Sequence, residues 1–374
     1  MVQASAKIKG SVSWTSVLPS PQKQSVDLLL WRDHLVVVTP DGFSLHDVAG
    51  KMLWQRPRRF DAALAIANEA IYTESRANFL QAVTLDNEFR LADAPLPGIS
   101  GSETFLRMLW PRTDDFIVAS TLPDPKYDAE ELGEGAVPEL YGLRVRYGSR
   151  FGEWNGTYKG TLNLAPLFSP ESATWLAFTH EVVAVNVDTE AEKKFPIGMD
   201  TPIEWSVDAL GNLAVIGQDH GKNVALALDR NGRELWRYDQ NDATEAWANT
   251  QPPIGSAAAR LFVLTSRRVL ALNAGRLAWI FDAGSESLRH GASTSDGTFE
   301  VQDGKLISKV QLRHASGLGD GTLLVVANNT MWHVDANGQR LSTTVLPEAI
   351  VCPPVVDSAG HVYVASLNAI YKIE

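Results

Sequence analysis

Catalysis and ligand binding need nucleophiles, acids, bases or metal ligands at workable spacing, and this chain offers few. Its eight histidines, His34, His46, His180, His220, His290, His314, His333 and His361, are scattered. None pairs with another at metal-ligand spacing, so they read as surface or hydrogen-bonded core residues. The sequence holds no Gly-x-Ser-x-Gly elbow, no phosphate-cradling Gly-rich loop ending in Lys-Ser/Thr, no His-Glu-x-x-His pair and no EF-hand calcium loop. Its single cysteine, Cys352, can form neither an internal disulfide nor a thiolate metal cage. Cys352 lies in an apolar stretch and reads as a buried, inert thiol. No catalytic, cofactor-binding or metal-binding residue is assigned, and no cofactor is expected.

Two other groups of residues could act together if the fold converges them. Arg107, Glu204, Ser256 and His314 are polar residues on segments expected to line a central channel. They come from different parts of the repeat described below, so they could build a small-molecule site. The second group sits in irregular loops and suits contact with a partner. It comprises Tyr127, Asp128, Glu130 and Glu131 in 121–138, His220 in 217–223, Trp247 in 239–251 and His290 in 284–309. A Trp in a long polar loop, such as Trp247, is either tucked under its own loop or a contact anchor.

The elements that position these residues are repeated. One unit is a short apolar run, a turn, a second run ending in Asp, then a Gly turn and a Trp. The clearest copies are residues 35–57, 212–239 and 261–283. First runs occur eight times: LVVV, AIYT, FIVAS, WLAF, LAVI, LFVL, LLVV and VYVA. A second run follows each of them. Runs rich in Val, Leu, Ile and aromatics, bounded by Gly, Asn and Asp, mark strands. The turns DVAG (47–50), DRNG (229–232) and DANG (335–338) suit a type I turn closed by a left-handed residue. Trp54, Trp236 and Trp279 each lie four residues after Gly50, Gly232 and Gly275. A further strand precedes each unit, as in 252–265 and 353–366. Four antiparallel strands per unit predict an all-β, eight-bladed β-propeller as a single domain over 1–374.

The last unit stops at Glu374 before its outer strand. Gly10 and Trp14 repeat the Gly-to-Trp spacing. Residues 10–18 are therefore expected to supply the outer strand of the last blade and close the ring, removing an open edge. The irregular loops fall between second and third strands or between blades, which is one face of the ring. The segment GTFEVQDGKLIS within 284–309 reads as a small extra hairpin. Insertions clustered on one face often mark a binding surface.

Paired prolines, aliphatic strands, an Asp-x-x-Gly turn and Leu-Trp resemble the quinoprotein-like (PQQ-like repeat) β-propellers across nearly the whole chain. The match is strong at 35–57, 212–239, 252–283 and 353–374 and weak at 70–95 and 140–157. The resemblance implies that Trp14, Trp54, Trp236 and Trp279 form a structural girdle docking blade on blade. Family members are either quinone- and calcium-dependent dehydrogenases or non-enzymatic, protein-binding propellers. The single Cys excludes the adjacent-cysteine disulfide that many of the enzymes carry. The resemblance therefore points to the non-enzymatic, BamB-like branch, although this chain shows neither an export signal nor a lipidated cysteine.

The 374 residues carry 33 Lys and Arg against 44 Asp and Glu, a net charge of −11. An acidic surface disfavours a nucleic-acid partner. The beginning MVQASAKIKGSVSW lacks the apolar core of a signal peptide, and no apolar run is long enough to insert into a membrane. A cytoplasmic setting is expected, or a periplasmic or extracellular one if an export signal has been removed. The expected function is a non-catalytic scaffold binding a protein partner through the loop-rich face. The alternatives are a small-molecule ligand or quinone-dependent oxidoreduction in the central channel, and a glycan-binding or hydrolytic propeller.

Overall fold

The computed structural model describes residues 10–18, 26–40, 42–57, 64–66, 70–74, 79–87, 89–95, 104–113, 116–123, 139–144, 152–154, 164–168, 173–177, 181–186, 192–207, 211–240, 247, 254–255, 260–283, 299–302, 305–308 and 312–374. Every named element is a strand. Among the described residues the strands form eight four-stranded antiparallel sheets and one two-stranded hairpin. In chain order these are sheet 1 (27–57), sheet 2 (64–95), sheet 3 (104–154), sheet 4 (164–196), sheet 5 (201–240), sheet 6 (254–282), sheet 7 (312–345) and sheet 8 (355–373). The chain divides into two compact units, residues 1–28 with 163–374, and residues 29–162. Sheets 4 to 8 lie in the first unit. Sheets 2 and 3, and sheet 1 beyond Leu28, lie in the second.

Sheets 1 to 7 run in simple sequence order, each strand paired with the one before it. Sheet 8 takes its fourth strand from the other end of the chain. Val12–Val17 pairs antiparallel with Ala369–Ile373, with Thr15 opposite Tyr371 and Val17 opposite Ala369. Backbone bonds between Ser11 and Glu374 (3.1 and 3.0 Å) and from Leu18 N–H to the Asn368 carbonyl (2.8 Å) extend the ladder at both ends. The segment 10–18 is thus the fourth strand of the last sheet.

The apolar runs are continuous because successive residues point to opposite faces, and both faces are buried. In sheet 5, Leu213 and Val215 join Val182 and Phe195 of sheet 4 in one core cluster. Ala214 and Ile216, one residue out of phase, join Leu261 and Val263 of sheet 6. Phe262 and Leu264 of sheet 6 then meet Leu323 and Val325 of sheet 7. Leu324 and Val326 of sheet 7 meet Val362 and Val364 of sheet 8. In the other unit, Val36, Phe43 and Leu45 of sheet 1 pack with Ile71 and Val83 of sheet 2. Sheets 5, 6 and 7 are each therefore a filling between two neighbours.

The turn between third and fourth strands fixes how neighbouring sheets meet. In the turns at Asp47, Asp229 and Asp335, one carboxylate oxygen accepts the N–H groups two and four residues on, at 2.7–2.9 Å. The closing Gly50, Gly232 and Gly338 have positive φ, as the Asp-x-x-Gly spacing predicts. The turns at Asp229 and Asp335 each then seat an outer-strand residue of the preceding sheet. Trp279 of sheet 6 donates from Nε1 to the Ala336 carbonyl at 2.9 Å, and a Cβ on Gly338 would sit 2.8 Å from its ring. The Phe195 ring packs on Gly232 in the same way, while a Cβ on Gly275 would meet the Arg237 carbonyl oxygen at 3.0 Å and the Trp236 Cβ at 3.1 Å. Trp54 donates to the Leu85 carbonyl of sheet 2 at 2.9 Å. There Asn87, at φ 63°, stands where the other turns have Gly. Trp14 is half-buried, its ring centroid 6.1 Å from that of Tyr363 within sheet 8.

The segment 217–223 differs from its expected reading as a loop insertion. Leu213–Asp219 and Lys222–Leu228 continue as one hairpin, paired as far as Asp219 and Lys222. Only His220 (φ 49°) and Gly221 (φ 76°) form the turn, two left-handed residues in a row, as tight hairpins require. The strand Phe116–Pro123 likewise takes the first residues of 121–138, and Glu234–Gln240 takes the first two of 239–251. The extra hairpin expected in 284–309 is present as Phe299–Gln302 paired with Lys305–Ser308.

Gly338 and Gly321 share a left-handed φ of 82°, but only Gly338 faces a ring, while Gly321 has nothing nearer than 3.9 Å. Substituting Gly321 by Ala should cost about 1 kcal/mol from backbone strain alone. Gly338→Ala should cost about 3 kcal/mol, because the added Cβ also displaces Trp279. Urea unfolding of the two variants measures the difference, and equal losses would show that the ring does not depend on this seat.

Candidate functional site

In sheet 5 the hairpin turn meets the connection that leads in from sheet 4. The His220 N–H donates to Asp200 Oδ2 at 2.8 Å, and His220 Nδ1 lies 3.0 Å from Asp219 Oδ1. Arg237, on the fourth strand, binds Asp219 Oδ2, donates from Nε to Asp239 Oδ1 at 2.9 Å and from Nη1 to the Gly198 carbonyl at 3.0 Å. The hydrogen bond from Arg237 holds the Asp219 carboxyl below its ordinary range. Asp200, Asp219 and His220 bring one potential ligand atom each within 4.8 Å of one another. Asp219 already has the Arg237 guanidinium as its counter-ion, so the group works as a polar clasp holding connection, hairpin and outer strand together. His220 stands on top of that clasp with its side chain 85% exposed.

The first strands of sheets 3, 5 and 7 share a device. Register shifts interrupt them between Leu106 and Met108, between Pro202 and Glu204, and between Leu312 and His314. A bulge bends a strand and re-aims its side chains. Glu204 and His314 stand at the same place, one residue past the bulge. Both are partly buried. Burial raises the Glu204 carboxyl above its ordinary pKa. Burial lowers His314, against a hydrogen bond with the backbone of Val351. Two residues on, Ser316 donates to the Pro354 carbonyl at 2.7 Å, while the equivalent Ser206 Oγ is buried without a hydrogen-bond partner. His314 and Ser316 thus tie their strand to the segment leading into sheet 8. No hydrogen bond or ion pair links Glu204 with His314 among the described residues.

A third polar group lies in sheet 8. The turn 357–361 repeats the Asp-x-x-Gly pattern between first and second strands. Asp357 Oδ1 accepts the N–H groups of Ala359 and His361, both at 2.9 Å. Its Oδ2 accepts from Tyr363 Oη at 2.9 Å and meets His361 Nδ1 at 2.8 Å. Burial pushes this carboxyl up, and the bonds from His361 and Tyr363 overcome it and hold it low. The carboxylate is fully engaged and serves the turn.

The remaining candidates divide by position. Trp247 is buried, forms an isolated bridge with Thr265 and joins the cluster between sheets 5 and 6, its Nε1 on Gln240 Oε1. It is thus a core residue and not an exposed anchor. Arg107 occupies the bulge in the first strand of sheet 3. Tyr127, Asp128, Glu130, Glu131, Ser256 and His290 lie outside the described residues. Cys352 is buried and its thiol is pushed up to about 12 by desolvation, an environment that keeps it protonated and unreactive. The clasp of Asp200, Asp219, His220 and Arg237 escaped the sequence reading because its members are brought together only by the strand pairing.

No family model matches the chain, and no curated protein matches it. Solved structures do. The crystal structure of BamB from Moraxella catarrhalis is 12% identical with a TM-score of 0.58, over 97% of this chain and 99% of that one. The Dos1 propeller is 8% identical with a TM-score of 0.61, over 96% and 95%. Dihydro-heme d1 dehydrogenase NirN in complex with DHE is 12% identical with a TM-score of 0.58, over 93% and 76%. At these identities the likeness is one of fold, and with the repeated four-stranded sheets it makes this an all-β protein of the β-propeller type.

Burial lowers the pKa of His46 and His333 as well as His314. His46 Nε2 pairs with Ser44 Oγ at 2.9 Å, and His333 Nε2 with Thr322 Oγ1 at 3.0 Å. Below the ordinary value of 6.5 the unfolded chain takes up protons that the folded chain refuses, so stability falls as the pH falls through that region. The melting temperature should be lower at about pH 5.5 than at about pH 7.5, and the slope should shrink in a His46→Gln/His333→Gln double variant. A slope unchanged by both substitutions would remove these histidines from the account.

Proposed function

We propose that this chain is a cofactor-free, eight-bladed propeller of the PQQ-like kind, closed into one domain by its N-terminal strand. We further propose that it acts as a non-catalytic scaffold for a protein partner. The observation that carries the reading is where the repeat is elaborated. Third-to-fourth-strand turns stay tight in sheets 1, 5, 6 and 7, and those of sheets 1, 5 and 7 are alike. The hairpin Phe299–Gln302/Lys305–Ser308 instead stands apart from all eight four-stranded sheets, in the connection between sheets 6 and 7. In an antiparallel sheet, such connections leave from the same end as the turn between second and third strands. The bond from His220 to Asp200 places both at one end of sheet 5. Connections on that end can be lengthened and varied without changing the apolar cores between sheets, which suits recognition of another protein.

Replacing residues 299–308 by a short Gly-Ser linker tests the reading. The variant should melt within about 2 °C of the parent, since the hairpin belongs to no sheet. Affinity purification from the native host with quantitative mass spectrometry should lose a defined protein from the variant that the parent retains. Identical co-purifying proteins would overturn the scaffold reading at this end. A spectral shift on adding quinone and calcium would favour a ligand in the channel.

A further inference from the structure

Every fourth strand is paired on one side only. Such edges offer unpaired backbone groups and recruit other strands unless charges or prolines block them. Seven of the eight named fourth strands carry at least one charged residue: Arg56, Arg90, Glu153, Lys193, Arg237, Arg276 and Arg340 in chain order. Three of those, Met52–Pro57, Phe89–Pro95 and Glu192–Pro196, also end in proline. Val12–Val17, with the sequence VSWTSV, has neither charge nor proline. Four of its six residues are β-branched or aromatic, the types that favour strand pairing. Val17 is 77% exposed, the most exposed large apolar residue among those described, and Thr15 and Ser13 beside it are exposed.

The ladder to the third strand fixes which backbone groups face outward. Leu18 N–H bonds inward to Asn368, and alternation from there turns the main chain of Ser16 and Trp14 inward. The main-chain groups of Thr15 and Val17 then point to the free edge. The register shift at Ser13 lies at one end and leaves Trp14–Val17 regular.

We propose that this edge joins two copies of the chain, Val12–Val17 pairing antiparallel with itself about a two-fold axis at Thr15. That register sets Thr15 opposite Thr15, Val17 opposite Ser13 and Trp14 opposite Ser16. Residues facing each other then project to the same side, as an antiparallel pair requires, and Thr–Thr is a favourable cross-strand pair. The contact is isologous and closes as a dimer. A second copy is the partner because its edge is the matching uncharged strand, whereas each of the chain's other fourth strands would bring a charge to the ladder. The net charge of −11 on each copy opposes approach. Salt screens that repulsion without weakening an uncharged ladder, so association should strengthen with ionic strength.

The test is sedimentation velocity on the full chain from roughly 1 μM to 1 mM, at low and high salt. The contact spans six residues, so a weak, concentration-dependent dimer is expected, favoured by salt. Val17→Lys and Thr15→Lys should each shift the chain to monomer with an unchanged melting curve, while Val17→Thr retains the dimer. Hydrogen exchange at the Thr15 and Val17 amides should slow as the dimer forms. A monomer at every concentration and salt overturns the proposal, and so does a dimer that survives both lysine substitutions. The outcome is independent of the scaffold reading, which concerns the hairpin end and a different protein.

Discussion

A sheet that buries both faces cannot be stable alone, and everything else in this protein follows from that. Leu213 and Val215 serve one neighbour, and Ala214 and Ile216 the other. Where burial is described, the centres of the middle strands, as in 213–217 and 224–228, have no solvent face to spare for polar chemistry. A residue swapped from one face to the other would leave one cluster with a void and the next overfilled, at a cost of a few kcal/mol. Polar side chains are therefore found mainly in turns, connections and the first and fourth strands, and those buried in middle strands or tight turns hold hydrogen-bond partners in the cases that follow. His46 on Ser44, His333 on Thr322 and Asp357 on Tyr363 are of the second kind. Their hydrogen bonds satisfy the sheet interior and leave little with which to bind a substrate.

The same constraint explains the seats between sheets. Two sheets packed face to face can still slide, because aliphatic contacts are not directional. The ring of Trp279 on Gly338, with its N–H on the Ala336 carbonyl, converts that sliding contact into a fixed one. The Asp carboxylate inside the turn holds two N–H groups and so keeps the glycine where the ring needs it. An aromatic, a glycine and an aspartate are thus one device spread over two sheets. The repetition of all three in the sequence reflects a repeated need for registration, which is why the repeat itself says little about function.

Much of the fold was legible because the burial constraint writes directly into sequence. Eight continuous apolar runs, the Asp-x-x-Gly turns and the Gly-to-Trp spacing at Gly10 and Trp14 each correspond to strands or turns in the structure. The misreadings have local causes. Gly217 looks like the start of a loop, but it is glycine because a Cβ there would lie 2.3 Å from the Thr201 carbonyl oxygen and 2.5 Å from Met199 Sδ. It marks close passage of a connecting segment beside an unbroken strand. Phe195 and Asn87 do the work of Trp and Gly at their seats, and a search for identical residues passes over them. Trp247 sits in a polar stretch, yet its ring is drawn into the core between sheets 5 and 6, a contact that no local pattern predicts.

The candidate site was far less legible, and for a physical reason. The clasp at His220 joins Asp200, twenty residues earlier in the chain, to Asp219 and to Arg237 on the outer strand. Each of these residues, taken alone, is an ordinary turn or strand-end polar group. What makes them a unit is that strand pairing delivers all of them to one end of sheet 5. Arg237 pairs with Asp219 there, while Asp200 and Asp239 stand beside them, so the clasp presents a histidine above a group in which carboxylates outnumber the one guanidinium. The direction of each of these hydrogen bonds is set by the strands beneath, not by neighbours in sequence, and no local pattern of residues could announce it.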